Sequence, residues 1–351
     1  RSLLTPASPP NLGISGSLRS TQHLIMFSKV VLALALAASA SAAMFTEHEG
    51  SQKYMWESFK QEYGKNYDAE EDASRFAIFV NNLKVIDERN VAEKKAGGSA
   101  IHGITKFSDL SQEEFAGRYL TTVIPEGLKD SMRKVSLKPP KSGATADWTG
   151  TYTTPVKDQG YCGSCWAFSV TEQLESDSMR TLGTDYILSP QQLVSCDSSD
   201  SGCNGGWPTT GYDYIESAGG MVQESDYPYT SGTAGVTGSC TGDISDKVLT
   251  VSNYYTLSGE SSMAAHMTST GPIAIAVDAS TWSSYTGGIM SSCGTSIDHA
   301  VQAVGVDTSS YWKVRNSWGS SWGESGFIRL AYGADTCSLT YIPTYVDAAK
   351  A

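Results

Sequence analysis

An α+β fold is the expectation for this sequence, and three observations agree with it. Apolar residues recur at helical spacing between Ser51 and Lys95, and a further helix reads from Gly163 to Leu182. Strand-like runs fill the C-terminal third, at Val248–Leu257, Ile273–Val277, Ala300–Val306 and Phe327–Ala331. The 351 residues hold material for about two domains. Apolar side chains at 40% with 34 glycines predict a packed core. The 25 basic and 37 acidic residues give a net charge of −12, which argues against nucleic acid as a partner. Charge also divides the chain: residues 43–141 carry 15 basic and 16 acidic side chains, residues 142–351 carry 7 and 21. A nearly neutral unit therefore precedes one at −14.

At the N-terminus, Met26 and Lys29 precede the apolar run Val30–Ala38 and the small residues Ala40-Ser41-Ala42. A positive flank, a short apolar core and an A-x-A-like end make residues 26–42 an expected secretory signal peptide. The run is too short to cross a bilayer, which takes ~20 residues of helix, and no later segment comes closer. Residues 1–25, without an acid or an apolar period, read as translated upstream sequence. Export to an oxidising compartment fits the seven cysteines, all between Cys162 and Cys337. An odd number predicts three pairs and one free thiol, a candidate nucleophile.

In residues 43–141, Met55, Phe59 and Tyr63 share one helix face with Trp56 beside it. Phe76, Phe79, Leu83 and Ile86 form the stripe of a second helix, which Gly97-Gly98 ends. Glu71 and Arg75 are spaced to pair. Gly127–Lys141 carries Lys129, Arg133, Lys134, Lys138 and Lys141 against Asp130, with Pro139-Pro140, the composition of an exposed, cleavable linker.

In residues 142–351 the run Gln159-Gly160-Tyr161-Cys162-Gly163-Ser164-Cys165-Trp166 is the most informative. A bare C-x-x-C could be redox-active or half a zinc site. Zinc, however, needs further ligands at fixed spacing, and Cys196 and Cys203, with six residues between them, do not form a second C-x-x-C. Cys165 falls at a helix N-terminus, where unpaired N–H groups favour thiolate. Of the five histidines, His23, His48 and His102 lie outside this unit, and His266 sits in the helical stretch Ser261–Thr270 without a motif. His299 opens a strand 134 residues after Cys165, inside the ~130–150 spacing that accompanies a C-G-[SA]-C-[WY] nucleophile. Asn316 stands in Asn316-Ser317-Trp318-Gly319-x-x-Trp322-Gly323.

These residues resemble the papain-like cysteine proteases over nearly all of 47–351. Glu71-x3-Arg75-x3-Phe79-x2-Asn82-x3-Ile86-x3-Asn90 matches at all six positions the ERFNIN signature of cathepsin L-like pro-segments. Gly103-x-Thr105-x-Phe107-x-Asp109 is similar to the second pro-segment motif, with Thr105 where Asn is common. The resemblance implies a two-lobed α+β catalytic domain at 142–351, a helical lobe with Cys165 and a β-barrel lobe with His299 and Asn316. It makes 43–141 an inhibitory pro-segment and linker, with a mainly helical pro-segment and the mature N-terminus between Pro139 and Thr145. It implies Cys165 as nucleophile, His299 as its base, Asn316 as the orienter of His299, Gln159 with the Cys165 N–H as oxyanion hole, and Trp318 as a shield.

By the same resemblance the disulfides are Cys162–Cys203, Cys196–Cys240 and Cys293–Cys337, which leaves Cys165 free. Gly205 and Gly206 line the cleft, with Asp298 and Trp318 also along the substrate groove. Trp207, Pro208, Ala276, Ala300 and Ile342 surround the side chain two residues before the scissile bond, predicting apolar or aromatic preference there. No insertion resembles the occluding loop of cathepsin B, so an endopeptidase is expected. The implied protein is a monomer acting on peptides or proteins, without cofactor or metal, inhibited by its own pro-segment, and bound for the lysosome, vacuole or extracellular space. A transpeptidase, or an inert homologue that only binds, are the competing readings. All four catalytic positions are intact, against the latter. The charge map adds that carboxylates of the acidic domain hold the basic linker and release it below about pH 4–5.

Overall fold

The computed structural model describes residue 45, residues 49–128 and residues 133–351. The expected upstream stretch 1–25 and export segment 26–42 lie outside the described residues, as do His48 and, in the linker, Lys129 and Asp130. No helix among the described residues is long and apolar enough to cross a membrane.

Helices α1 (Glu49–Tyr63) and α2 (Ala69–Ala96) pack through Trp56 and Phe59 against Phe79, Leu83 and Ile86, the two stripes the spacing predicts. Asp68 caps α2 by accepting from the Glu70 and Glu71 N–H groups, acids fill the first turn and lysines the last, and Gly97 ends it at φ 79°. Every one of these signals lowers the cost of a helix terminus. Strand β1 (Ile101–His102) and helix α3 (Gln112–Tyr119) follow, α3 starting in a Ser111/Glu114 capping box.

The pro-segment motif is explained by contacts. Arg75 lies 3.6 Å from Glu71 as expected, but its closer partner is Glu114 of α3 at 2.7 Å. Asn82 donates to the Ser108 and Leu110 carbonyls at 2.9 and 2.8 Å, and Asn90 brackets the His102 backbone, donating to its carbonyl and accepting from its N–H. Phe79 and Ile86 are buried.

Of the linker, expected to be exposed throughout, Leu128 is buried and β2 (Lys134–Val135) pairs with β4 (Leu249–Leu257). The helical lobe contains α4 (Cys165–Thr181), α5 (Pro190–Cys196), α6 (Pro208–Ala218) and α7 (Ser231–Ala234). Every residue of α4 from Cys165 to Ser178 is buried. It is therefore an enclosed helix rather than an amphipathic one.

The other lobe is a nine-stranded sheet flanked by α8 (Gly259–Ser269). Strands β3 (Thr145–Asp147), β4 (Leu249–Leu257), β5 (Ile273–Val277), β7 (Ile289–Met290), β8 (His299–Asp307), β9 (Tyr311–Arg315), β10 (Phe327–Ala331) and β11 (Tyr341–Lys350) join β2 in the order β2-β4-β11-β5-β8-β9-β10-β7, with β3 on β8. All pairings are antiparallel except β2–β4 and β10–β7. A separate strand, β6 (Tyr285–Gly287), pairs with β1 of the pro-segment. Helix α4 lies against β8, where Ser169 donates to the Val301 carbonyl at 2.9 Å. The starts of α4 and β8 meet at this seam.

Candidate active site

Cys165 is the first residue of α4 and His299 the first of β8, so both side chains emerge where the two lobes join. The cysteines pair as Cys162–Cys203, Cys196–Cys240 and Cys293–Cys337, and Cys165 is left as a buried thiol. Around its sulfur lie the Ala300 N–H, adjacent to His299, and the Trp166 N–H, both favouring the thiolate. His299 Nε2 is 2.8 Å from Asn316 Oδ1. Trp318 lies over that contact, its ring centroid 4.8 Å from that of His299, and is itself fully buried. Gln159 is held by its Oε1, which accepts from Ser317 Oγ at 2.7 Å, and its Nε2 donates to the Cys162 carbonyl at 3.0 Å. Gln159 and Cys165 from one stretch of chain and His299 and Asn316 from another, remote in sequence, thus meet in one buried seam.

The pro-segment closes that seam. Thr122 Oγ1 sits 3.3 Å from the Cys165 sulfur. Thr122 N donates to the Asp298 carbonyl at 3.1 Å, Val123 N to that of Gly206 at 3.2 Å, and Thr121 Oγ1 to that of Gly163 at 2.8 Å. Gly205, at φ 114°, leaves room for this approach, since a Cβ there would collide with the Thr121 carbonyl. Phe107, Phe115 and Tyr119 stand edge-on to Trp318 with centroids 5.3, 5.3 and 6.1 Å away, so the propeptide core and the roof of the His299–Asn316 contact form one aromatic cluster.

Six residues beyond Thr122, Leu128 forms a small apolar cluster with Trp207 and Ala276, flanked by Ile297, Tyr341 and Ile342. Ala300 packs instead in the helical-lobe core with Cys165, and Pro208 begins α6. Sequence reasoning missed Ile297 and Tyr341. Each is a near neighbour in sequence of a residue already singled out, Ile297 two before His299 and Tyr341 next to Ile342.

Electrostatics differ from the thiolate that a helix N-terminus predicts for Cys165. Burial pushes the Cys165 thiol above its ordinary value and drives His299 down to about 4, against the opposing help of Asn316. With both groups sealed from water, a neutral thiol beside a neutral ring is the favoured state. Burial also lifts Asp298 to about 7, with Asp278 adding repulsion, although its carboxylate accepts from the Ala279 N–H at 2.8 Å.

The expected grip of carboxylates on the basic linker is not what the structure has. Arg133 lies over the Tyr255 ring at 5.7 Å, and Lys134, Lys138 and Lys141 form no ion pair among the described residues. Among the described residues the ion pair that crosses from pro-segment to catalytic domain is Lys106–Asp158, at 2.8 Å.

Comparison with known proteins agrees with this geometry. A model of the papain family of cysteine proteases matches residues 142–346, and one of the cathepsin propeptide inhibitor domain matches 56–115. A cysteine proteinase of Trypanosoma brucei brucei is 37% identical over 323 residues, 88% of this chain and 70% of the relative. Cathepsin L 2 of Paramecium tetraurelia is 34% identical over 297 residues, 83% of this chain and 91% of the relative. The solved digestive procathepsin L 3 of Tenebrio molitor larval midgut superposes with a TM-score of 0.73 at 35% identity, covering 84% of this chain and 98% of that one. The recombinant stem bromelain precursor gives 0.73 at 31%, again over 84% and 98%. The chain therefore belongs to the papain family of cysteine proteases and is made as a proenzyme with an inhibitory propeptide.

Proposed function

We propose that the mature enzyme is an endopeptidase of the secretory route that works through an acyl-enzyme on Cys165. Removal of the pro-segment re-admits water, which relieves the burial that keeps Cys165 and His299 neutral; the thiol proton then passes to His299, and the helix N-terminus favours the thiolate left behind. The thiolate attacks the scissile carbonyl while the Cys165 N–H and Gln159 Nε2 donate to the developing oxyanion. His299, oriented through Asn316, gives its proton to the leaving amine as the C–N bond breaks. It then takes a proton from water as that water attacks the thioester; the C–S bond breaks, the acid product leaves, and the Cys165 thiolate beside protonated His299 is restored. The contact that supports this reading most directly is Thr122 on the Cys165 sulfur, because a propeptide blocks a nucleophile by lying where substrate must lie.

Leu128 in turn marks the pocket for the side chain two residues before the scissile bond, with Trp207, Ala276, Ile297, Tyr341 and Ile342 as its walls. No wall residue is charged, so Leu, Phe and Val are preferred there over Arg. The mature N-terminus falls between Pro139 and Thr145. Expressing 43–351, acidifying it and assaying peptides that vary at this position tests the whole reading. Hydrolysis is lost in Cys165→Ala and falls at least about tenfold when Arg replaces Leu, the cost of a charge in an apolar pocket. Equal rates for Arg and Leu overturn the pocket, and activity in Cys165→Ala overturns the nucleophile.

A further inference from the structure

The described end of the linker occupies a place that cleavage vacates. Lys134 and Val135 pair in parallel with Thr256 and Leu257, Thr256 N donates to the Arg133 carbonyl at 3.0 Å, and Ser258 N to that of Val135 at 2.9 Å. With β11 on the other side of β4, this edge carries no strand of the catalytic domain. Beside it opens a pocket of about 380 Å³, lined by Lys134, Ser258, Asp335 and Thr340 and by Tyr341 and Ile342, which also flank Leu128.

The path from Thr122 through Leu128 to β2 thus runs from the nucleophile past the apolar pocket and onto a sheet edge. An unpaired edge is a template for an extended chain in either direction. The occupant seen there is basic: Arg133 covers the Tyr255 ring, and the domain beneath carries −14, with Asp335 in the pocket wall and Asp347, on the paired strand β11, accepting from the Tyr255 hydroxyl at 3.1 Å.

We propose that in the mature enzyme the β4 edge at Thr256–Ser258, with Tyr255 and the adjoining pocket, is an exosite for an extended basic stretch of a protein substrate. The stretch lies N-terminal to the scissile bond, beyond the residue that fills the Leu128 pocket, because the edge lies on the far side of that pocket from Cys165. This rests on the pocket assignment and cleavage site proposed above. The substrate gains backbone hydrogen bonds from two N–H groups and a cation–π contact, which together correspond to roughly three- to thirtyfold in kcat/KM.

The test compares three peptides cleaved by mature enzyme: a short core with Leu two residues before the scissile bond, the same core with a ten-residue N-terminal extension carrying Arg-Lys-Val six to eight positions upstream, and an extension with Asp-Glu-Val in its place. The basic extension raises kcat/KM through a lower KM, and the acidic one does not. Ser258→Pro, which removes one N–H outside the β4–β11 ladder, and Tyr255→Leu, which removes the ring face from Arg, each reduce the gain while hydrolysis of the short core persists. Equal kcat/KM for all three peptides, or a gain that survives both substitutions, overturns the exosite. Failure to cleave even the short core would instead count against the underlying protease reading.

Discussion

The two parts of the proenzyme hold their carboxylates in opposite ways. In the propeptide, Asp72 accepts from Lys60 at 2.7 Å and from the Trp56 indole at 3.3 Å, and Glu114 accepts from Arg75 at 2.7 Å; these partners hold both acids below their ordinary range. In the catalytic domain, burial pushes acids up: Glu172 and Asp298 to about 7, and Asp177, Asp213 and Glu224 in the same direction. Each region has exceptions. Asp147 is held down by hydrogen bonds from Thr149 and by Lys313, Glu324 by Arg329 against partial burial, and propeptide Glu93 is raised by burial.

The difference decides what acid does to each part. Acids whose folded pKa is lowered stabilise above their unfolded pKa, and that stability is lost as pH falls through the lowered folded value. For Asp72 and Glu114 the loss therefore begins near pH 4–5 and continues below. Acids whose folded pKa is raised carry a penalty at neutral pH that fades as pH falls from about 7 towards 4. Acid thus loosens the inhibitor and relieves the enzyme, without needing carboxylates on the linker.

Breaking the propeptide side of this comparison should have the largest effect. Arg75→Met leaves Glu114 and the Asp109 carbonyl without their partner. We expect self-processing of the proenzyme to begin at least about one pH unit higher, since half-buried charged hydrogen bonds are worth ~1–3 kcal/mol. An unchanged onset in a pH series read by gel would assign the trigger elsewhere.

On the catalytic side, Glu172, 3.3 Å from Arg315, is fully buried, and Glu172→Gln should flatten the stability profile. The mature wild type gains several degrees of Tm between pH 7.5 and pH 4.5, and the variant gains measurably less. Parallel Tm profiles would remove Glu172 from the account. A smaller change follows from Lys60→Met, because the Trp56 indole still donates to Asp72 once Lys60 is gone, whereas Arg75→Met strips both Glu114 and the Asp109 carbonyl. Its processing onset should move up by no more than about half a pH unit, and a shift matching that of Arg75→Met would show that the number of partners lost does not rank these pairs.

Smallest, and of opposite origin, is Glu93. It accepts from Ser291 N at 2.6 Å and Ser292 N at 2.9 Å across the interface, and its raised pKa means that docking takes up a proton, so acid favours the contact. Glu93→Gln removes that opposition, and processing rate plotted against pH should rise more steeply. A shallower curve would reverse the assignment.

Local features were legible early because they depend on residues a few positions apart. The α2 stripe, its Gly97 stop, and the strands at Ile273–Val277 and Phe327–Ala331 follow from period and capping alone. Cysteine parity pointed to one free thiol, and the resemblance supplied the pairings the structure has. Less legible was the linker, whose basic, proline-bearing composition hides a strand of two residues and a buried Leu128: neither has a local pattern long enough to read. Helix α4 was readable as a helix from Gly163 to Leu182, but its enclosure on all sides depends on β8 and β11 packing against it.

By itself the sequence determined the two long propeptide helices, several central strands, the nucleophile's place at a helix N-terminus and the order of propeptide and enzyme, since periodicity, caps and motifs act over short spans of chain. Only the tertiary structure decided that Thr122 covers the sulfur, that Leu128 meets Trp207 and Ala276, and which way each carboxyl shifts. Burial and pairing depend on what stands opposite a residue in space, and for Cys165, His299 and Trp318 those neighbours come from a propeptide remote from them along the chain.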